Sequence, residues 1–220
     1  MKVRNVLVGT VFCAATAFWN SSAYSQAKDE KKPAPAQPPA TKPAEKPAAA
    51  PAGGMDPGMD AMMKAGQPGE FHAKLKAMEG NWDTTVKSYM SPGTPTESKG
   101  VSTRKWIMDG RFLQEDNTGD FMGMPFKGMG ITGYDNIQKK YVSTWIDNMG
   151  TSIMNSTGTV DATGKTFTYE CESPDPMTGK MTKTKMVTKI IDDKKHTFEM
   201  SGPGPDGKEM KMLEITYTKK

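Results

Sequence analysis

The chain has 220 residues, of which 35% are hydrophobic, 8% aromatic and 25% charged, and its formal net charge is +4. This mild charge argues against a nucleic-acid-binding protein, because such proteins concentrate far more positive charge on one face. The presence of only two Cys excludes both a disulfide-dense scaffold and a zinc site built from several thiolates.

The N-terminus has the pattern of a cleavable secretory signal peptide. Lys2 and Arg4 form a basic start, and an apolar run follows over residues 6–19. Ser25 and Ala27 place small residues at positions −3 and −1 of a signal-peptidase site. The apolar run is shorter than the ~20 residues that a spanning helix needs, so we expect cleavage after Ala27 and no lasting membrane anchor. The pattern therefore predicts a bacterial protein of the periplasm or a secreted one.

A spacer rich in Pro, Ala and Lys follows this signal. The segment contains no aromatic residue, so it buries too little apolar surface to offset the entropy of ordering it. Residues 54–63 could start a helix, but we predict that this stretch is mostly disordered as well. The predicted organisation is a signal peptide (1–27), a disordered spacer (28–66) and one folded domain (67–220).

The domain has the composition of a β protein. Thr, Val, Ile and aromatic residues are abundant in it, whereas good helix formers are scarce. Only the stretch 70–79 is predicted to be helical, with Phe71, Leu75 and Met78 on one face. Turn sequences rich in Gly, Pro, Asp and Asn separate the remainder into short runs. These runs cover residues 82–90, 98–108, 111–120, 127–135, 139–147, 151–160, 165–173, 180–191, 195–201 and 208–218.

About ten runs at this regular spacing predict an all-β fold, an antiparallel meander that closes into a barrel behind one short N-terminal helix. Closure pairs the first strand with the last, so that no long edge strand stays open to aggregation. A two-sheet sandwich is the alternative arrangement of the same strands.

A resemblance to known proteins covers about residues 70–220. Gly80 and Trp82, directly after the helix, resemble the Gly-x-Trp opening of lipocalin-like (calycin) barrels. A more specific set of motifs runs in order through GRFLQE (110–115), MGMPFKG (122–128), GYDN (133–136), KYVSTWID (140–147), DPMTGK (175–180) and MLEITY (212–217). This set is similar to the exported family known as domain of unknown function 1579. The resemblance implies a lipocalin-like β-barrel, and it implies no particular activity, ligand, cofactor or catalytic residue.

The sequence offers little material for catalysis. The two histidines, His72 and His196, stand in no recognisable nucleophile context and are predicted to be surface or interface residues. Cys171 lies between two glutamates, whose charge disfavours a thiolate, so we predict that it is buried. Residues 202–208 match the letters of a phosphate-binding loop, but two prolines remove the amide donors that such a loop needs. We interpret this segment as a hairpin turn and expect a protein that is neither an enzyme nor dependent on a cofactor.

Methionine is the most unusual component, since the chain contains 19 Met and very few Leu. Met fills irregular cores and adaptable ligand cavities, which is the simpler explanation for the methionines of the domain. Thioethers also select Cu(I), and the spacer contains Met55, Met59, Met62 and Met63. Copper handling through these four residues is therefore one alternative function. A structural or interaction module held on a flexible spacer is another.

The interior of the predicted barrel is the best candidate for a binding site. Few arginines occur after the signal peptide, and Arg is suited to a fixed contact with an anion. Arg104 alternates in phase with Trp106, which leaves three interpretations open. Arg104 holds a ligand carboxylate, pairs with Glu115, or closes the barrel end by stacking on Trp82.

We therefore predict that the protein binds a small hydrophobic or amphipathic ligand inside the barrel and does not transform it. Large amphipathic or charged side chains of the domain are the expected contacts. The predicted ligand-binding residues are Trp82, Arg104, Trp106, Glu115, Tyr134 and Trp145. We expect neither a metal nor a nucleic acid at this site, and no membrane anchor after signal cleavage.

Overall fold

The structure is a computed structural model, and it describes residues 56–90, 94–121, 123–175, 178–204 and 206–220. The predicted signal peptide and most of the predicted spacer lie outside these residues. Within them, two short helices precede a series of β-strands.

Helix α1 covers Pro57–Ala65, and helix α2 covers Glu70–Lys74 and continues as a 3₁₀ turn over Leu75–Met78. Each run that the sequence predicts as a strand is a strand in the structure, with small differences at the ends. The strands are β1 (Gly80–Ser88), β2 (Thr96–Ile107), β3 (Phe112–Phe121), β4 (Met124–Asp135), β5 (Lys140–Asp147), β6 (Met154–Val160), β7 (Thr166–Pro174), β8 (Met181–Ile190), β9 (Lys195–Pro203) and β10 (Glu209–Lys219).

These strands form one closed antiparallel barrel. Each strand pairs with its neighbours in the chain, and β1 also pairs with β10. Thr84 of β1, for example, lies opposite Gly100 on one side and Tyr217 on the other. The predicted meander that closes into a barrel is therefore confirmed, and the sandwich alternative is wrong. Closure leaves the backbone of both edges hydrogen-bonded, which removes the sites where sheets aggregate.

Helix α2 and its 3₁₀ turn cover one end of the barrel, which we call the closed end. Leu75 and Met78 are buried in the main hydrophobic cluster, and Phe71 packs against it, as the predicted apolar face requires. The indole Nε1 of Trp82 donates to the Met78 carbonyl at 3.0 Å, and the Tyr141 hydroxyl donates to the Phe71 carbonyl at 2.9 Å. These bonds attach the helix to β1 and β5, so it acts as a fixed plug.

Helix α1 is a difference from the predicted disordered spacer. Its start follows local rules, because the Asp56 carboxylate accepts a backbone N–H of the first turn at 2.8 Å and Pro57 occupies that turn. Its end is held by the barrel, where side chains of Asn136 and Arg111 donate to the carbonyls of residues 65–66. Those two partners lie far along the chain, which is why the composition of the spacer does not reveal the helix.

Replacing Gly158 by Ala is expected to destabilise the barrel by about 1–3 kcal/mol. A methyl group there would overlap the Thr168 carbonyl oxygen of β7 and lie 2.6 Å from the ring of Tyr169. Urea unfolding measures the change. Gly150→Ala is the matched control, since its nearest neighbour would be 3.9 Å away, and we expect it to stay within about 0.5 kcal/mol of the parent. Equal unfolding free energies for both variants would contradict this packing.

Candidate functional site

A cavity of about 320 Å³ occupies the interior of the barrel. This volume is at the lower end of the ~300–1,000 Å³ typical of small-molecule sites. Met78 of the plug lines it at the closed end, and Asp120 and Asp147 line it near the opposite end. All ten strands contribute, because alternate residues of each strand face the inside.

Most of the cavity wall is apolar. Met154, Met186 and Met200 line it together with aromatic side chains, and flexible thioethers adapt well to an irregular cavity. The predicted role of the domain methionines as core and cavity fillers holds for these positions, whereas Met108, Met124 and Met181 are exposed and do not line the cavity. Trp145 also lines the cavity, and its ring lies over Gly130 on the neighbouring strand, where a Cβ would be 3.0 Å from the indole.

A group of polar side chains lies near the plug, and we call it the base network. It contains Ser102, Arg104, Glu115, His196 and Tyr217. The guanidinium of Arg104 forms an ion pair with Glu115 at 2.9 Å and contacts Nε2 of His196 at 2.9 Å. The Glu115 carboxylate also accepts from the hydroxyls of Ser102 at 2.7 Å and Tyr217 at 3.3 Å.

Strand register brings these residues together. Arg104 on β2 lies directly opposite Glu115 on β3, and His196 on β9 lies opposite Tyr217 on β10. The two pairs meet because β1 connects β2 with β10 when the barrel closes. The base network is thus a product of closure as well as of local pairing.

The charges of the base network balance. Burial opposes the charge on Arg104, but Glu115 and Tyr217 raise the pKa of this side chain above its ordinary value. Burial lowers the pKa of His196 to about 2, with a smaller contribution from the positive charge of Arg104. The imidazole is therefore neutral. Because Arg104 can only donate, Nε2 of His196 is the acceptor and the ring hydrogen lies on Nδ1. One positive and one negative charge remain, and they are paired.

The geometry decides two of the three interpretations of Arg104. The pairing with Glu115 is present, whereas the predicted stacking on Trp82 is wrong. The guanidinium carbon lies 4.5 Å from the ring centroid of Tyr217, and Trp82 instead packs edge-on against His196 at 4.4 Å. The difference arises because Tyr217, and not Trp82, shares the cavity wall with Arg104.

Two residues of the cavity wall each contain a buried polar atom without a hydrogen-bond partner among the described residues. These atoms are Nε of Arg104 and Oγ1 of Thr84. An unpaired buried polar group costs about 1–3 kcal/mol. A bound molecule with an acceptor oxygen within hydrogen-bond distance of either atom would recover this free energy.

The structure places the six predicted ligand-binding residues in two groups. Arg104, Glu115 and Trp145 line the cavity. The other three lie around the plug: Trp82 is fully buried beside Met78, Trp106 packs against the main hydrophobic cluster, and Tyr134 stacks on Phe71 at 4.5 Å between ring centroids. Trp82, Trp106 and Tyr134 also point inward on their strands. They lie near the strand ends, however, and are therefore beside the helix and not in the cavity wall.

Sequence reasoning missed His196 as a member of the site. It is predicted, like His72, to be a surface or interface residue, and a surface position is wrong because only 1% of the residue is exposed. The alternation of His196 with Phe198 and Met200, which both line the cavity, is the signal that places it inside. His72 is also buried, in the contact between helix α2 and Tyr134, in agreement with a predicted interface position.

Two other sequence predictions hold. Cys171 is buried, and residues 202–208 connect β9 to β10 through a turn, where Gly204 N–H donates to the Lys208 carbonyl at 2.7 Å. The part of the chain that the structure describes contains no group of three or more His, Cys, Asp or Glu placed to hold a metal ion. No helix in that part is long and apolar enough to cross a membrane.

Comparison with known proteins identifies a family and a fold. The family model described as "Protein of unknown function (DUF1579)" matches residues 67–219. Rv2717c from M. tuberculosis aligns with a TM-score of 0.51 and 14% identity, over 70% of this chain and 99% of that chain. A redesigned beta barrel aligns with a TM-score of 0.36 and 13% identity, over 67% and 95%. No curated protein matches, and the likeness to Rv2717c indicates a shared fold alone.

His196 is expected to make the protein sensitive to acid. The pKa of its side chain is about 2 in the folded protein, against an ordinary value of 6.5. Between these two values the unfolded state therefore binds a proton at this histidine and the folded state does not. Stability is therefore full above pH 6.5 and falls as the pH drops toward 2, by about 2 kcal/mol at pH 5.

The variant His196→Gln removes this titration and keeps an acceptor oxygen for Arg104. Urea unfolding at pH 7 and pH 5 should show a smaller loss in the variant than in the parent. His72, whose pKa burial also lowers, is present in both proteins and cancels in the comparison. The same loss in both proteins would count against a neutral, buried His196.

Proposed function

Since the chain belongs to the DUF1579 family of unknown function, we propose its function from the barrel interior: the protein binds a small amphipathic molecule in the cavity and does not transform it. The observation that carries this proposal is a cavity of about 320 Å³ with an apolar wall and two unpartnered polar atoms beside the base network. Such a combination holds a ligand by apolar burial and orients it by few polar contacts.

The apolar part of the ligand occupies the methionine- and aromatic-lined region. Leu213 and Ile215 of β10 and Phe198 of β9 extend this wall. Burial of apolar surface stabilises a complex by about 25 cal/mol per Å² before the costs of association. The flexible Met side chains favour a class of related molecules over a single shape.

The polar part of the ligand is an uncharged acceptor, such as an ester, ketone or alcohol oxygen. The charge of Arg104 is already neutralised by Glu115 at 2.9 Å. A ligand carboxylate would place a second anion beside Glu115 in a buried site, which is unfavourable. A neutral oxygen accepts from Nε of Arg104 or from the Thr84 hydroxyl without adding charge. The carboxylate interpretation of Arg104 is therefore the less favoured one.

The base network supports binding rather than catalysis. Nε2 of His196 is engaged by Arg104, and the low pKa of this histidine makes it a poor proton acceptor near neutral pH. The Glu115 carboxylate is held by Arg104 and accepts from Ser102, which does not line the cavity. These groups are suited to fixing the shape of the cavity base and to keeping its charges paired.

We also propose that the mature protein works in the bacterial periplasm or outside the cell. Expression of the full chain in a Gram-negative host should yield a periplasmic protein whose mass corresponds to residues 28–220. Ala27→Leu puts a bulky residue at position −1 and should leave the precursor uncleaved. A cytoplasmic protein that keeps residues 1–27 would contradict export.

Ligand binding is tested with methyl octanoate and octanoate, which share an alkyl chain and differ in charge. Each competes with the uncharged fluorescent probe N-phenyl-1-naphthylamine for the mature protein. We expect the ester to displace the probe at least tenfold more effectively than the acid. Glu115→Gln removes the competing anion and should shift the preference toward octanoate, because Arg104 is then left without a charged partner.

The matched control is Glu199→Gln, because Glu199 is half exposed and does not line the cavity. This variant should keep the preference of the parent for the ester. Far-UV circular dichroism verifies that both variants are folded. Failure of the probe, the ester and the acid to bind would overturn the proposed function. Tighter binding of octanoate than of the ester to the parent would overturn only the neutral head group.

A further inference from the structure

Helix α1 exposes three methionines. The exposed fractions of Met59, Met62 and Met63 are 50%, 70% and 48%, and no residue of the helix is buried. Met is ordinarily among the more buried residue types. Core filling explains the buried Met78 and Met186 of the barrel, but it does not explain these three.

The attachment of α1 to the barrel leaves this methionine face free. Asn136 Nδ2 donates to the Ala65 and Gln67 carbonyls, each at 2.8 Å. Arg111 Nε donates to the Gly66 carbonyl at 2.9 Å. The helix is thus held through backbone carbonyls at its C-terminal end, and its side chains are available to another molecule or ion.

The spacing of the three methionines brings their side chains together. Positions i, i+3 and i+4 lie on one face of an α-helix, with Cβ atoms about 5–6 Å apart. Each Met side chain has three rotatable bonds, so the three sulfurs can turn toward a common point. Met55, the fourth methionine of the predicted copper set, lies outside the described residues, and three sulfurs suffice for the site.

We propose that Met59, Met62 and Met63 form a binding site for Cu(I). Thioether sulfur is a soft, uncharged ligand that prefers Cu(I) to the hard cations Mg²⁺ and Ca²⁺. An exposed site on a short helix suits a metal that is exchanged with the surroundings rather than permanently retained. This site is separate from the barrel cavity, so its test is independent of the test of ligand binding in the barrel.

The test is an anaerobic titration of the mature protein with Cu(I) in competition with the chromogenic chelator bicinchoninate. We expect one equivalent of Cu(I) to bind. The triple variant Met59→Leu/Met62→Leu/Met63→Leu should bind at least tenfold more weakly. Leu retains apolar size and helix propensity, so a face used only for apolar docking would survive this change, whereas a thioether site would not.

The matched control replaces two exposed methionines at the opposite end of the barrel, Met124→Leu and Met181→Leu. This control should bind Cu(I) like the parent. Hydrogen exchange of the α1 backbone should slow on Cu(I) addition in the parent and not in the triple variant. Unchanged affinity in the triple variant, or an equal loss in the control, would overturn the proposal.

Discussion

The pairing of β1 with β10 is the constraint on which the rest of this structure depends. It turns a row of hairpins into a closed barrel, and closure divides every strand into an inward and an outward face. Without this last pairing, the inward side chains would line an open sheet instead of a cavity. The plug also depends on closure, because its two anchors, Trp82 and Tyr141, lie on different strands of the ring.

Closure also explains how a strong charge is tolerated inside the barrel. Arg104 and its partner Glu115 come from adjacent strands, but His196 and Tyr217 reach them only across the seam at β1. A buried ion pair stabilises little unless further hydrogen bonds satisfy it. The Ser102 and Tyr217 hydroxyls supply these bonds to the Glu115 carboxylate, and on the Arg104 side only Nε lacks a partner among the described residues. The base of the cavity is therefore polar but electrically balanced, and this balance shapes the choice of ligand head group.

Two groups among the methionines differ in their surroundings and in their physics. Those inside the barrel, such as Met186, replace the missing leucines and give an adaptable apolar wall. Those on α1 contact no core and present sulfur to the surroundings. The same residue type thus supports two unrelated proposals, one based on the apolar character of the side chain and one based on its softness as a ligand.

Alternation and turn sequences by themselves determined the strands, because both are local properties of the chain, and regular spacing favoured the barrel over a sandwich. The inward direction of Arg104 and its pairing with Glu115 were also within reach of the sequence. Tertiary structure alone decided that His196 joins them and that α1 is a helix held by Asn136 and Arg111. Both depend on contacts between residues far apart in the chain, which local sequence patterns do not specify. The contact of His196 with Arg104 also requires that β1 join β2 to β10.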